Sequence, residues 1–308
     1  MLAPLLLFVY NRVELTKQTL LALTKNDLIE QTELYIFSDG PKDDADVSKV
    51  NSVRKLVNEY AQLDTFQAIH IKEAHKNMGL ANSVISGVSE IIKQYGKVIV
   101  LEDDLITAKS FLKFMNDCLN FYENDSNVWS IGGTTHHLDA LENYSKSVYA
   151  CYRGESCGWA TWLNRWERVD WNVSDYKKLL KNRQMKKQFR RCGEDVIIGL
   201  KKQMMGLTDS WAIRWVYQES KENMFTIRPK ESLIRNIGFD GSGTHSTENN
   251  RFKDELCEDN FEYVLETVEI DPIIMKEFCN YFERTLATRI YDIIMMKVWK
   301  WNGKSKQD

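Results

Sequence analysis

The sequence has few of the features that mark linkers, membrane spans or targeting segments. It contains four prolines in 308 residues, no stretch rich in glycine and serine, and no internal repeat. The apolar start, MLAPLLLFVYNR, is too short to span a bilayer and lacks the basic segment of a signal peptide. We interpret it as a buried first strand.

Cysteine usage and net charge exclude further classes. The six cysteines are scattered without a CxxC pair, which favours a reduced cytoplasmic protein and argues against both a disulfide framework and structural zinc. The formal net charge of −3 provides no overall attraction to nucleic acid or to an anionic membrane. An apolar fraction of 43% is ordinary for a soluble protein with a large core.

What the sequence does contain is an alternation of apolar runs and helical segments in its first half. The runs PLLLFVYN, ELYIFSDG, FQAIHIKEA and KVIVLEDD are predicted to be strands, and Gly96 is placed to end the third helix. Strands joined by helices of this length predict an α/β fold with a mostly parallel sheet flanked by helices. MFTIRPKESLIRNIG predicts one more strand or hairpin.

The second half is different in composition. Seven tryptophans lie between positions 129 and 215, and glycines cluster in SIGG, RGESCGW and GFDGSGTH. This pattern is typical of an aromatic-rich, substrate-facing subdomain. We predict a nucleotide-sugar-binding half at 1–135, an acceptor-binding half of the same domain at 136–270, and a C-terminal helical tail at 271–308.

Polar residues follow three of the predicted strands: Asn11 and Arg12, then Asp39, then the triplet 102–104 (Glu-Asp-Asp). In open α/β sheets, ligands bind outside the carboxyl ends of the strands. Carboxylates gathered there repel one another unless a cation is present, and a divalent ion bridging a diphosphate suits such a site. From spacing alone, the triplet fits the start of a helix equally well, because acids are favourable there.

The order of motifs resembles that of GT-A glycosyltransferases, above all the inverting N-acetylglucosaminyltransferase I type and the sugar transferases of bacterial surface-polysaccharide clusters. VIVLEDDL is similar to the family's metal-binding acidic triplet (the DXD motif). The other similar segments, in order, are VYNR, FSDG, AHKNMGLANSV, GWATWLNRW, DSWAIRW and IRPKESLIRNIGFDGSGTH. The resemblance covers about residues 3 to 247 and implies a GT-A (Rossmann-like) fold.

The resemblance also implies a role for each matching residue. Asp104 would ligate Mn²⁺ or Mg²⁺, with His245 of the GSGTH segment as a further candidate ligand. Glu102 and Asp103 would contact the ribose and sugar of the donor or orient metal-bound water. The nucleotide would be held by residues from three strand ends, namely Asn11, Arg12, Asp39, His75 and Asn77.

Transfer with inversion requires a carboxylate that takes the proton of the acceptor hydroxyl. Asp209 matches the family's base by position, and Asp195, with its neighbour Glu194, is the alternative. Asp209 also fits a helix N-cap. Trp159 and Trp162 are candidates for acceptor binding, because an aromatic face can stack on a sugar ring, although tryptophans are also ordinary core residues.

These features predict a metal-dependent inverting glycosyltransferase that moves a sugar from a UDP-linked donor to a hydroxyl of a glycan or lipid-linked glycan. The alternatives are a catalytically silent nucleotide- or sugar-binding protein and a sugar nucleotidyltransferase, although VYNRVELT lacks the glycine- and lysine-rich loop of the latter. The basic helix 176–192 and the C-terminal tail predict peripheral contact with the inner face of the plasma membrane; a solvated face and a packed terminal helix explain them equally well. No nucleic-acid motif accompanies them.

Overall fold

The computed structural model describes residues 1–238, 255–257 and 261–304. Within them, eight strands form one sheet and two short strands form another. The large sheet contains β1 (Leu5–Val9), β2 (Glu33–Ser38), β3 (Ala68–Glu73), β4 (Lys97–Glu102), β6 (Val128–Gly132), β7 (Val148–Cys151), β8 (Trp159–Trp162) and β9 (Phe225–Pro229). The small sheet pairs β5 (Leu105–Thr107) with β10 (Ile234–Asn236).

Helices connect the strands and form the end of the described chain. They are α1 (Val13–Leu23), α2 (Asp44–Tyr60), α3 (Leu80–Tyr95), α4 (Phe111–Phe121), α5 (Asp139–Glu142), α6 (Leu163–Trp166), α7 (Tyr176–Lys181), α8 (Arg183–Phe189), α9 (Val196–Met204), α10 (Ala212–Glu222), α11 (Pro272–Tyr281) and α12 (Leu286–Lys304).

The first half has the arrangement that its sequence predicts. β3, β2, β1 and β4 lie side by side in parallel, with α1, α2 and α3 between them along the chain. β1 is buried throughout, and its alternating side chains enter two different core clusters, Leu5 and Leu7 in one, Leu6 and Phe8 in the other. Gly96 ends α3 in the left-handed conformation at a φ of 76°, which confirms the predicted helix stop.

The second half extends the same sheet with mixed strand directions. β8 lies antiparallel between β4 and β6, β9 runs parallel to β6, and β7 runs antiparallel to β9. Four of the seven pairings in this sheet are parallel, which confirms the predicted mostly parallel sheet flanked by helices. Strands from 1–135 and from 136–270 therefore share one sheet, while the boundaries drawn at 135 and 270 stay predictions.

The segment MFTIRPKESLIRNIG forms two strands that do not pair with each other. β9 joins the large sheet, whereas β10 pairs with β5, the strand that directly follows the acidic triplet. This pairing ties the chain around residue 236 to the carboxyl end of β4.

The C-terminal residues are helical, as their pattern predicts. Asp271 caps α11 by accepting hydrogen bonds from the backbone N–H groups of Ile273 and Ile274. In α12, the buried Asp292 lies 2.6 Å from Lys202 of α9. None of the helices in the described part of the chain combines the length and the apolar composition needed to cross a bilayer.

Candidate active site

The acidic triplet lies at the end of β4, beside the end of β1. Glu102 is the last residue of β4, and Asp103 and Asp104 form the turn that leads into β5. Because β1 and β4 are parallel neighbours, their carboxyl ends meet and bring Arg12 to the triplet. The Arg12 guanidinium pairs with Asp103 and lies 3.0 Å from Asp104 Oδ2. The structure thus brings together polar groups from the first and fourth strand ends.

Among the described residues, three carboxyl groups share this corner with Arg12. Burial raises the pKa of Glu102 to about 8, and the charges of Asp104 and Asp103 contribute to the rise. Burial also raises the pKa of Asp103, to about 6, while the charge of Arg12 opposes the rise. Burial lowers the pKa of Arg12, but the two aspartates raise it more, so the net direction is upward. The corner carries the excess of negative charge that a divalent cation would relieve.

The donor set at this corner fits a divalent metal ion in chemistry, since Mn²⁺ and Mg²⁺ take carboxylate oxygens. Arg12 forms ion pairs with Asp103 and Asp104. A metal ion at Asp104 would therefore have to bind beside the guanidinium or displace it. Gly238 packs so closely against the same carboxylate that a Cβ at position 238 would collide with Asp104 Oδ2. His245, the other candidate ligand, lies outside the described residues.

Within residues 1–238, 255–257 and 261–304, a set of three metal-ligating side chains is found away from the triplet. One ligand atom each from His137, Asp139 and Glu142 lies within 4.8 Å of the other two. All three side chains are exposed, and the sequence analysis did not single them out. No further feature of the cluster points to a ligand, so we assign no ion to it.

Asp39, at the end of β2, organises the segment that leads into α3. Its carboxylate accepts hydrogen bonds from the backbone N–H groups of Met78 at 2.9 Å and Gly79 at 3.1 Å. Asn77 Nδ2 donates to the same carboxylate at 3.2 Å. The fold therefore places Asp39 and Asn77 in one network, while His75 lies in the same segment and is exposed.

Asn11 is directed toward α2. Its Nδ2 donates to Asp46 Oδ1 at 3.0 Å, and the Tyr10 hydroxyl donates to the other oxygen of Asp46 at 2.6 Å. Burial and this hydrogen bond raise the pKa of Tyr10 to about 12. The hydrogen bond to Asp46 thus fixes the Asn11 side chain at the carboxyl end of β1.

Asp209 and Trp211 bring the start of α10 to both networks. Asp209 Oδ2 accepts a hydrogen bond at 3.3 Å from the backbone N–H of Ala81, in the first turn of α3. Trp211 is buried, and its side chain interacts with Glu102 in a way that acts to lower the pKa of that carboxyl. Asp209 itself is exposed. A solvent-facing carboxylate therefore lies two residues from a side chain that contacts the triplet.

Asp195, the alternative base, is engaged by an arginine. Arg153 Nη1 and Nη2 donate to its two oxygens at 2.8 and 3.0 Å, and the guanidinium lies 3.9 Å from the centre of the Phe282 ring. Glu194, next to it, is exposed and lies 4.0 Å from Arg190. The bidentate contact commits Asp195 to Arg153.

The structure corrects the acceptor role expected for Trp159 and Trp162. Trp159 is 0% exposed and packs among other tryptophans, and Trp162 is 2% exposed and donates its indole N–H to the carbonyl of Leu119 at 3.0 Å. Stacking on a sugar requires an exposed ring face. The physical reason is that both residues lie on β8, an interior strand of the sheet, so both rings are core.

The second half also contains a buried ion pair that the sequence motifs did not predict. Arg228 on β9 is 1% exposed, and its Nη1 donates to Glu155 at 2.6 Å. Burial acts to raise the pKa of Glu155, but the charge of Arg228 and hydrogen bonds from Thr134 and the Cys157 N–H lower it to about 2. The feature of the sequence that could have indicated this ion pair is Glu155, the acid between the two glycines of RGESCGW.

Comparison with known proteins found partial likenesses to solved structures. No protein-family model matches the chain, and no curated protein matches it. Mannosyltransferase PcManGT from Pyrobaculum calidifontis, in complex with GDP-Man and Mn²⁺, is 12% identical over 71% of this chain and 74% of that chain, with a TM-score of 0.39. S. aureus TarS 1-349 in complex with UDP-GlcNAc is 15% identical over 48% of this chain and 38% of that chain, with a TM-score of 0.33. S. aureus TarS is 14% identical over 48% of this chain and 25% of that chain, with a TM-score of 0.34.

The matched region thus spans about a quarter to two fifths of these TarS chains. TM-scores of 0.33 to 0.39 are too low to carry an argument about this protein. The functional interpretation below therefore depends on the residues of the chain itself.

Proposed function

We propose that this protein is a metal-dependent inverting glycosyltransferase that moves a sugar from a UDP-linked donor to an acceptor hydroxyl during assembly of a surface polysaccharide or another glycan. The proposal depends on three features at the carboxyl edge of the parallel strands. They are an arginine, an acidic triplet whose negative charge this arginine does not balance, and an exposed carboxylate. A nucleotide diphosphate supplies negative charge for Arg12, and its metal ion supplies the positive charge that the triplet lacks.

For donor binding, we propose that Arg12 moves from the aspartates to the diphosphate when the ion is bound at Asp104. Glu102 and Asp103 then face the ribose and the sugar. Asp39 and Asn77 shape the segment before α3 on which the base of the nucleotide rests, with His75 exposed beside it. Asn11 supports the rim of this pocket through α2.

For transfer, we propose Asp209 as the base. Its carboxylate takes the proton of the acceptor hydroxyl while the hydroxyl oxygen forms a bond to the anomeric carbon, and the bond from that carbon to the diphosphate oxygen breaks. A divalent ion at the triplet, when bound, offsets the charge that develops on the departing diphosphate. The exposure of Asp209 supports this assignment over Asp195, which is committed to Arg153.

The test is hydrolysis and transfer from a panel of UDP- and GDP-sugars, with Mn²⁺, with Mg²⁺ and with EDTA. We expect turnover that is lost in EDTA and restored by excess Mn²⁺. Turnover that persists in EDTA would remove the metal role of Asp104, and hydrolysis of no donor despite calorimetric UDP binding would favour the silent binding protein. The contact between Arg12 and Asp104 is the one observation that favours this second candidate.

We also propose peripheral contact of an otherwise cytoplasmic protein with an anionic membrane. The stretch 176–192 carries eight lysines and arginines and no acid. α12 exposes apolar side chains, among them Leu286 (73%), Tyr291 (59%) and Ile294 (53%). Basic and apolar groups together suit a lipid surface. Flotation with vesicles of phosphatidylglycerol, compared with pure phosphatidylcholine, tests the contact; equal recovery with both would refute it.

A further inference from the structure

A cavity of about 290 Å³ is lined in part by Asn236 of β10, which pairs with Leu105, the residue that directly follows the triplet. Its walls come from the loop 153–157, the start of α10, Asn236 of β10 and Phe282. Two links join it to the site. Ser210, in its wall, lies between Asp209 and Trp211, and Cys157, also in its wall, has a pKa raised by burial, by Glu155 and by the charge of Glu102.

The fixed charges around this cavity are paired within the protein. Arg228 Nη1 donates to Glu155 at 2.6 Å and to the carbonyl of Thr134 at 2.9 Å. Arg153 holds Asp195 through both of its Nη atoms, at 2.8 and 3.0 Å. Each arginine thus has a carboxylate partner. A phosphate or carboxylate on a ligand would have to compete with these partners for the guanidinium groups.

Apart from His136, the other lining side chains are partly apolar and partly polar but uncharged. Ile213, Val216 and Phe282 provide apolar surface, and Ser156 and Asn236 provide a hydroxyl and an amide. A pyranose ring has the matching character, with C–H groups on its faces and hydroxyls around its edge. The volume is near the lower end of the roughly 300–1,000 Å³ of ligand pockets, which suits a single ring.

We propose that this cavity binds a neutral, hydroxyl-bearing sugar ring of the acceptor. The proposal builds on the proposed transferase function and names the class of acceptor and its subsite. A ring seated between Ser156 and Ile213 has its exposed edge next to Ser210, the residue that follows Asp209, the proposed base. Residues 153–157 and the start of α10 thereby take the role that the sequence analysis gave to Trp159 and Trp162.

The experiment is saturation-transfer difference NMR with neutral and charged probes. The neutral probes are the methyl β-glycosides of glucose, galactose and N-acetylglucosamine, and the charged ones are methyl β-glucuronide and glycerol 1-phosphate. Ser156→Phe fills the cavity, Ile213→Phe fills it from the opposite element in case the first variant does not fold, and Ser52→Phe, exposed on α2, is the matched control. UDP binding is measured by calorimetry on the same samples.

We expect at least one neutral glycoside to bind the wild type and Ser52→Phe, and to bind the cavity-filling variants at least about ten-fold more weakly. UDP binding should be unchanged in all of them. Equal glycoside binding by the filled variants, binding of the charged probes alone, or binding of no neutral glycoside would overturn the cavity assignment. Glycoside binding without UDP binding would instead refute the proposed function and leave the cavity assignment standing.

Discussion

Two buried regions of this molecule combine an arginine with carboxyl groups, and the pKa of a glutamate shifts in opposite directions in the two regions. At the end of β4, Arg12 faces Asp103, Asp104 and Glu102, and the pKa of Glu102 rises to about 8. In the second half, Arg228 forms an ion pair with Glu155, and the pKa of that carboxyl falls to about 2. The first corner has negative charge that a ligand can complement, whereas the second is already neutral.

This difference in net charge indicates that the corner at β4 is a binding site and that the pair of Arg228 and Glu155 stabilises the fold. Charged groups that lack a partner of opposite sign lower the stability of a folded protein. Such groups are typical of functional sites. A corner in which the arginine and the carboxylate neutralise each other has no such need for a ligand. Substitutions in and around the two corners test this contrast.

Arg228→Met should destabilise the protein by about 3–5 kcal/mol, because it leaves Glu155 buried without its cation. Urea unfolding measures the change in the free energy of unfolding. Lys55→Met, which removes an exposed i,i+4 pair with Glu59, is the control and should cost less than about 1 kcal/mol. Similar losses for both variants would show that the Arg228 corner is no more important to the fold than a surface pair.

Asp209→Asn should lower the rate of sugar transfer by about 10²–10⁴, because the acceptor hydroxyl loses its base, while UDP affinity stays the same. Asp195→Asn, matched in chemistry, should change transfer far less. The measurements are turnover with Mn²⁺ and calorimetric UDP binding. A large loss in Asp195→Asn with unchanged Asp209→Asn would transfer the role of base to Asp195.

Two buried glutamates should give opposite dependences of stability on pH. Burial raises the pKa of Glu219 from 4.5 to about 8, so the folded state keeps a proton that the unfolded state releases, and this contribution to stability is lost as pH rises from about 4.5 to 8. The pKa of Glu155 is lowered to about 2, so its contribution is present above pH 4.5 and lost as pH falls toward 2.

Urea unfolding across this pH range, with Glu219→Gln and Glu155→Gln as references, measures both contributions. The stability of the wild type relative to Glu219→Gln should decline with rising pH, and its stability relative to Glu155→Gln should decline with falling pH. The same slope for both pairs would contradict the assignment of charge in these two places.

Trp211→Phe should weaken donor binding by only a few-fold, about 1 kcal/mol, because Glu102 loses its interaction with the polar indole N–H. Trp162→Phe also removes a buried indole N–H but lies away from the triplet, so it should change stability and leave donor affinity unaltered. Titration calorimetry with UDP and Mn²⁺ compares the two. Equal losses of UDP affinity in both variants would show that the interaction of Trp211 with Glu102 does not contribute specifically to donor binding.

Much of the first half was predictable because its signals are local. The apolar run of β1 and the glycine after α3 each determine their own conformation, and parallel strands must bring their carboxyl ends to one edge. For that reason Arg12 and the triplet could be expected to meet. Their pairing with each other, ahead of any ligand, could not be predicted, because it depends on side-chain positions that the strand pattern leaves open.

The second half was less predictable because its partners are distant in sequence. β8 enters the sheet between β4 and β6, and this placement alone turns Trp159 and Trp162 from candidate sugar platforms into core residues. The pairing of Arg228 with Glu155 joins residues 73 positions apart. No periodicity of either segment records such contacts.

The α/β alternation, the direction of the first four strands and the edge at which their polar ends gather follow from local sequence, since hydrophobic periodicity and helix-ending glycines act over a few residues. Other properties arise only in the folded molecule: which acid is exposed, which is paired, which tryptophans are buried and where a cavity remains. Those properties depend on long-range packing and on the burial of charge, which exist only once the strands and helices have come together.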